Sequence, residues 1–116
     1  MARKDDFANK LDSATVTIAN GAQLSGALDC GGMSLVGIIT PAALTGTAMT
    51  LQGSHDNSTF NDVNNSAGTQ VSITVAASRF IALNPDDFVS FRYLKLKSGS
   101  AEGAERIIRC VLRARS

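Results

Sequence analysis

His55 is the only histidine in the chain, and so the only side chain whose ordinary pKa falls near neutrality. It sits in Ser54-His55-Asp56-Asn57-Ser58-Thr59, a polar run between more apolar segments. No second histidine and no cysteine lies beside it, so it cannot build a zinc site alone. It also lacks a nucleophile and an orienting carboxylate at motif spacing, so the run reads as an exposed turn rather than a catalytic set. Asp56, Asn57, Ser58 and Asp62 place hard oxygens close together, as calcium prefers, but the glycine and closing glutamate of a calcium loop are missing. Asx-turn hydrogen bonding accounts for Asp56 and Asn57 equally well. The pairs Asp86-Asp87 and Glu102/Glu105 read as solvated carboxylates, and no glycine-rich phosphate loop leads from a strand into a helix. Hydrolysis or group transfer at neutral pH needs a base of suitable pKa. The expectation is therefore a non-enzymatic protein with no catalytic residue, no metal and no cofactor.

The elements that would position these residues follow a period of two. Ala14-Thr15-Val16-Thr17-Ile18-Ala19 alternates and stops at Asn20-Gly21, a strong turn signal. Gln23–Asp29 is a weaker strand, ended by Cys30-Gly31-Gly32. Met33–Thr40 is apolar on both faces, with Met33, Leu35 and Ile39 on one and Val36 and Ile38 on the other, as in a strand covered from both sides. Strands are then expected over Thr47–Gly53, Phe60–Asn64, Gln70–Ala76, Arg79–Leu83 and Phe91–Lys97, with a turn at Asn84-Pro85-Asp86-Asp87. Glu105–Ala114 fits either a strand with Ile108, Cys110 and Leu112 inward or a helix with Ile107, Ile108, Val111 and Leu112 in one stripe. Its β-branched residues favour the strand.

Eight or nine short strands at this spacing predict an all-β fold, an antiparallel β-sandwich of jelly-roll type. The chain has 116 residues and 44% hydrophobic composition, enough for one domain with a core of its own. Residues 1–13 read as an extended N-terminal arm and residues 14–116 as the sandwich. The expected core is Val16, Ile18, Leu35, Leu51, Val71, Ile73, Val75, Leu94 and Leu96. Cys30 and Cys110 lie far apart without metal-ligand spacing and read as reduced, buried thiols.

Charged residues make up only 18% of the chain, which suits a surface covered by other protein. The net charge is +1, but its distribution is uneven. Residues 92–116 carry seven basic and two acidic groups, and residues 1–91 carry four basic and eight acidic ones. Were the two C-terminal strands neighbours, Lys95, Lys97, Arg109 and Arg113 would share one outer face. Such a face would dock an acidic protein surface, or merely protect an edge from aggregation. The scarcity of aromatics (five Phe, one Tyr, no Trp) argues against a nucleic-acid stacking platform. The N-terminus has no apolar run after its basic residues and no segment has membrane-spanning length, so cytosolic synthesis and no membrane partner are expected.

The series Leu51-Gln52-Gly53-Ser54-His55-Asp56-Asn57-Ser58-Thr59-Phe60-Asn61-Asp62-Val63, then Phe80–Phe88, then Arg92-Tyr93-Leu94-Lys95-Leu96-Lys97-Ser98-Gly99, resembles small β-sandwich virion proteins of tailed bacteriophages. The likeness covers roughly residues 47–113. The same hairpin and late strand are also similar to discoidin-like, galactose-binding jelly rolls. There Asn57 stands where that pattern has glycine, Phe60 where it has tryptophan, and this chain is shorter. The phage resemblance implies a capsid decoration or cement subunit, a homotrimer seated on the major capsid protein at the virion surface after synthesis in the host cytoplasm. Contacts to capsid or neighbouring subunit would then come from Arg3, Lys4 and Phe7 in the arm, from Val36 and Ile38, and from Lys95, Arg109 and Arg113. The second likeness implies a carbohydrate-binding module or adhesin, using His55, Asp56 and Asn57 and the loop Ser98–Gly103. A tail or neck component remains a third expectation.

Overall fold

Alternation of apolar and polar side chains lays down nine strands among residues 11–114, the part of the chain that the computed structural model describes. They are β1 (Leu11–Ile18), β2 (Leu28–Asp29), β3 (Met33–Ile39), β4 (Ala48–Ser54), β5 (Asn61–Asp62), β6 (Ser72–Thr74), β7 (Phe80–Ala82), β8 (Tyr93–Ser98) and β9 (Arg106–Ala114). A single 3-10 turn, Pro85–Phe88, interrupts them; Pro85 pre-sets its first φ, and the Asn84 side chain accepts from the Asp86 N–H.

Two antiparallel sheets result. One has the order β1-β9-β3-β7; the other has β2-β8-β4-β5, with β6 also pairing β4. Each sheet therefore interleaves strands distant in the chain, as in a jelly roll. Between the sheets lie Val16, Ile18, Leu35, Ile38, Met49, Leu51, Ile73, Leu94, Leu96, Ile108, Cys110 and Leu112, each at most 5% exposed. Every residue of the expected core is buried. Each large aliphatic chain so removed from water contributes roughly 1.5–3 kcal/mol before conformational entropy is subtracted. Phe88 closes one end of the interior, edge-on to Phe91 with ring centroids 6.3 Å apart.

Three local differences from the sequence reading have physical causes. First, β1 begins at Leu11: Leu11, Asp12 and Ser13 pair with Arg113, Leu112 and Val111, three residues ahead of the alternation that marked the strand. Second, β3 carries a bulge. Leu35 opposes Leu112 and Gly37 opposes Val111, so Val36 is an extra residue and the alternation slips by one. Leu35 and Ile38 consequently both point inward. Ile38, expected on an outer face offered to a neighbour, is fully buried and makes no such contact; Val36 is half-buried. Third, Glu105–Ala114 resolves as a strand, with Ile108, Cys110 and Leu112 inward.

Candidate binding surfaces

The turn that carries His55 is organised by Ser54 and Asp56. The Ser54 hydroxyl donates to Asp56 Oδ1 at 2.9 Å and accepts the Asn57 N–H at 3.0 Å. The same Oδ1 accepts the N–H groups of Ser58 and Thr59 at 2.9 and 3.0 Å. The Thr59 and Ser58 amides, then the Ser54 hydroxyl, hold the Asp56 carboxyl down at about 2. Its charge is spent on the turn itself. Asn57 adopts φ 60°, a left-handed conformation that Asn tolerates better than most residues, which explains glycine at this place in the related pattern. His55 is exposed, and no side chain orients it as a base.

Beside this turn lies a shallow cleft of about 370 Å³, lined by His55, Thr59, Asn61, Asp62 and Asn64, with Phe91 beneath. A Cβ on Gly53 would stand 2.9 Å from the Phe91 ring, so glycine is what lets the ring lie flat against β4. Phe91 is 8% exposed. Phe60 is covered by Lys95, whose Nζ lies 4.4 Å from the ring centroid. Neither ring is left as an open platform for stacking.

The four basic residues expected on one face lie on two. Lys95 and Lys97 belong to β8 and Arg109 and Arg113 to β9, and these strands sit in different sheets. Succession in the chain does not make β8 and β9 neighbours, because the connection crosses from one sheet to the other. Lys95 and Lys97 project from the five-stranded sheet, opposite Gln52 and Thr50. Thr50 in turn neighbours Ser72, and Arg92 pairs with Asp29 at 2.9 Å while covering the Tyr93 ring. That face is mainly polar.

Register places Arg109 on the outer face of the four-stranded sheet between Thr15 and Ile39, with Phe80 beyond Ile39. Phe80 is 68% exposed, Ile107 51% and Leu11 53%, and Val111 and Ile39 are half-buried beside them. The Phe80 ring lies over Gly37, where any Cβ would be 3.1 Å from it. Arg109 donates to the Ser13 hydroxyl at 3.0 Å. Large apolar groups and arginines thus alternate across one surface. Arg3, Lys4 and Phe7 lie outside the described residues.

Glu102, expected to be solvated, is 1% exposed. Its carboxylate accepts the Thr45 and Gly46 amides at 2.8 and 2.9 Å, the Ser98 hydroxyl at 2.7 Å and Arg106 Nε at 2.9 Å. Burial by itself would raise its pKa, but these donors together pull it down to about 2. Its backbone also binds Gly21 and Ala22. One side chain in the β8–β9 connection therefore ties together loops from both sheets. A Cβ on Gly46 would run into the Ser98 hydroxyl, so glycine is required there. The sequence holds one cue to this tie: Glu102 and Arg106 stand four apart in the loop before the last strand. Cys30 and Cys110 are both buried thiols; burial, then the neighbouring Cys30, pushes Cys110 up to about 12, far from a reactive thiolate.

No family model and no curated protein matches the chain. Solved structures do. The SPBc2 prophage-derived protein YomS superposes with a TM-score of 0.55 at 8% identity, covering 90% of this chain and 96% of its own. CBM32-1 from a family 31 glycoside hydrolase of Clostridium perfringens gives 0.52 at 12% identity, covering 97% and 84%. At such identities the likeness concerns the β-sandwich fold. Among the described residues no helix is long and apolar enough to cross a membrane.

Proposed function

We propose that this protein is a non-enzymatic virion structural subunit, a capsid decoration or cement protein, seated on the major capsid protein by the outer face of its four-stranded sheet. The observation that carries the reading is that face itself: Phe80 and Ile107 exposed near Arg109 and Leu11 exposed beside Arg113, on a chain otherwise sparing with charge. Aromatic residues and arginine are the types enriched where protein surfaces meet, and a contiguous exposed apolar surface marks an interaction site. The likeness to a prophage-derived protein supports a phage setting. Among the described residues, the division of Lys95 and Lys97 from Arg109 and Arg113 between opposite faces argues against a continuous basic stripe for nucleic acid. The test mixes undecorated heads with wild type and with the double variant Phe80→Ser/Ile107→Ser, then measures occupancy. Loss of binding by a folded variant is expected; undiminished occupancy overturns the assignment to this face.

A second reading, carbohydrate binding, is favoured by the polar cleft at His55, Asn61, Asp62 and Asn64 and by the likeness to CBM32-1. Calorimetric titration with galactose decides it. Heat of binding that disappears in Asn61→Ala/Asn64→Ala supports the cleft; no heat at millimolar sugar removes this reading.

A further inference from the structure

Of the four sheet edges, one differs from the rest. The edges formed by β2, β5, β6 and β7 consist of strands two or three residues long, and short edges are a common protection against unwanted pairing. β1 runs eight residues in unbroken register with β9 and contains no proline, no lysine and no bulge. Its one charged residue is Asp12.

The pleat determines which backbone groups this edge presents. Thr17 turns its carbonyl away from β9, since it accepts the Gly26 N–H at 3.3 Å. By the two-residue period, Thr15 and Ser13 turn their N–H and C=O groups the same way. Among the described residues the one partner of these outward groups is the Asp12 carboxylate, on the Ser13 N–H at 2.8 Å. The upper end of the edge, at Thr17, is closed by the chain running into β2. Among the described residues nothing covers the lower end.

We propose that β1 is a self-pairing edge, through which two copies of this chain join antiparallel into one continuous eight-stranded sheet. Two identical edges related by a two-fold axis must meet antiparallel, the geometry that β1 already uses with β9. With the axis at Ala14, Ser13 of one copy faces Thr15 of the other, and the outward N–H and C=O groups of these two residues find partners. Ala14 is small and the flanking side chains Ser13, Thr15 and Thr17 are neutral hydroxyls, so like meets like without charge repulsion. This concerns the rim of the sheet and goes beyond the docking role of its face, which a dimer would present twice over.

The test uses the full chain in sedimentation equilibrium. Wild type should form a dimer of the 12.1 kDa chain. Thr15→Pro removes one outward N–H and leaves the ladder to β9 intact, since proline is tolerated at a solvent-side edge position; it should weaken dimerisation by roughly tenfold or more. Thr15→Lys and Thr15→Glu serve as variants that keep the backbone. Each alone should dissociate at low salt, and an equimolar mixture should recover the dimer. A wild-type monomer at the highest soluble concentration overturns the proposal. So does a trimer, or an oligomer indifferent to Thr15→Pro and to the charge pair, or pairing of β1 with capsid protein alone. The head-binding variants at Phe80 and Ile107 leave this edge untouched, so failure of the docking reading and failure of self-pairing are separately visible.

Discussion

The outer faces of the two sheets are made from the same pleated backbone and cover the same interior, but they meet their surroundings differently. On the five-stranded sheet Lys95, Lys97, Gln52, Thr50 and Ser72 make the outward face mainly polar, and even Phe60 is covered by an ammonium group. On the four-stranded sheet Phe80, Ile107 and Leu11 are more than half exposed, with half-buried Ile39 and Val111, arginines and hydroxyl side chains between them. The interior needs neither arrangement. A sandwich is stabilised from within, so each outer face is free to answer to whatever it touches. Here one presents mainly polar groups and the other large apolar ones.

The largest expected effect tests what holds both faces on one body. Glu102→Ala would leave Arg106 and two loop amides without their acceptor, costing about 3–5 kcal/mol. Urea unfolding should show the midpoint fall with an unchanged slope. A loss below about 1 kcal/mol would mean that the loops are held by something else.

Acid probes the same tie without mutation. The Glu102 carboxyl is lowered from 4.5 to about 2 on folding, so its stabilisation is present in full above the higher value. That stabilisation disappears as the pH falls toward the lower one and amounts to about 3 kcal/mol. Asp56 shifts in the same direction. The difference between wild type and Glu102→Gln across pH 2–5 therefore isolates Glu102; parallel curves would refute its part in acid sensitivity.

Charge reversal separates the faces directly. Arg109→Glu/Arg113→Glu should lower occupancy on undecorated heads and their heat resistance, whereas Lys95→Glu/Lys97→Glu should leave both nearly as they were. Folding stability should change by less than about 1 kcal/mol in either pair, as for exposed sites. Equal losses from both pairs would erase the distinction drawn above. The smallest effect belongs to His55→Ala, which should bind heads as wild type does; abolished binding would move the active surface to the cleft.

Much of the fold was legible because strand burial writes itself into alternation: Val71, Ile73 and Val75 were placed inward from spacing alone, and they are. Whether β8 and β9 share a sheet is not legible in the sequence, since strand pairing leaves no periodic trace; they do not. Ile38 was misplaced because a bulge breaks the period at Val36, and Val36-Gly37 carries only the faint cue of a glycine inside an apolar strand. Glu102 was missed for a different reason. A carboxylate reads as solvated unless its donors are known, and two of them, Thr45 and Gly46, are over fifty residues away. The apolar outer face was hidden in the same way, because Phe80, Ile107 and Leu11 come from three strands that adjoin only in the folded sheet.

The bulge in β3 also decides where this chain can gain or lose a residue. Anywhere else in the strand, a single deletion would turn every following side chain over, sending Ile38 to the surface and Ile39 to the interior. At Val36 the extra residue has no partner of its own opposite β9, so its removal would join Leu35 directly to Gly37 with both flanking registers kept. Length variation among descendants of this sequence should therefore collect at that one point of the strand, leaving the interior and the outer face in frame on either side.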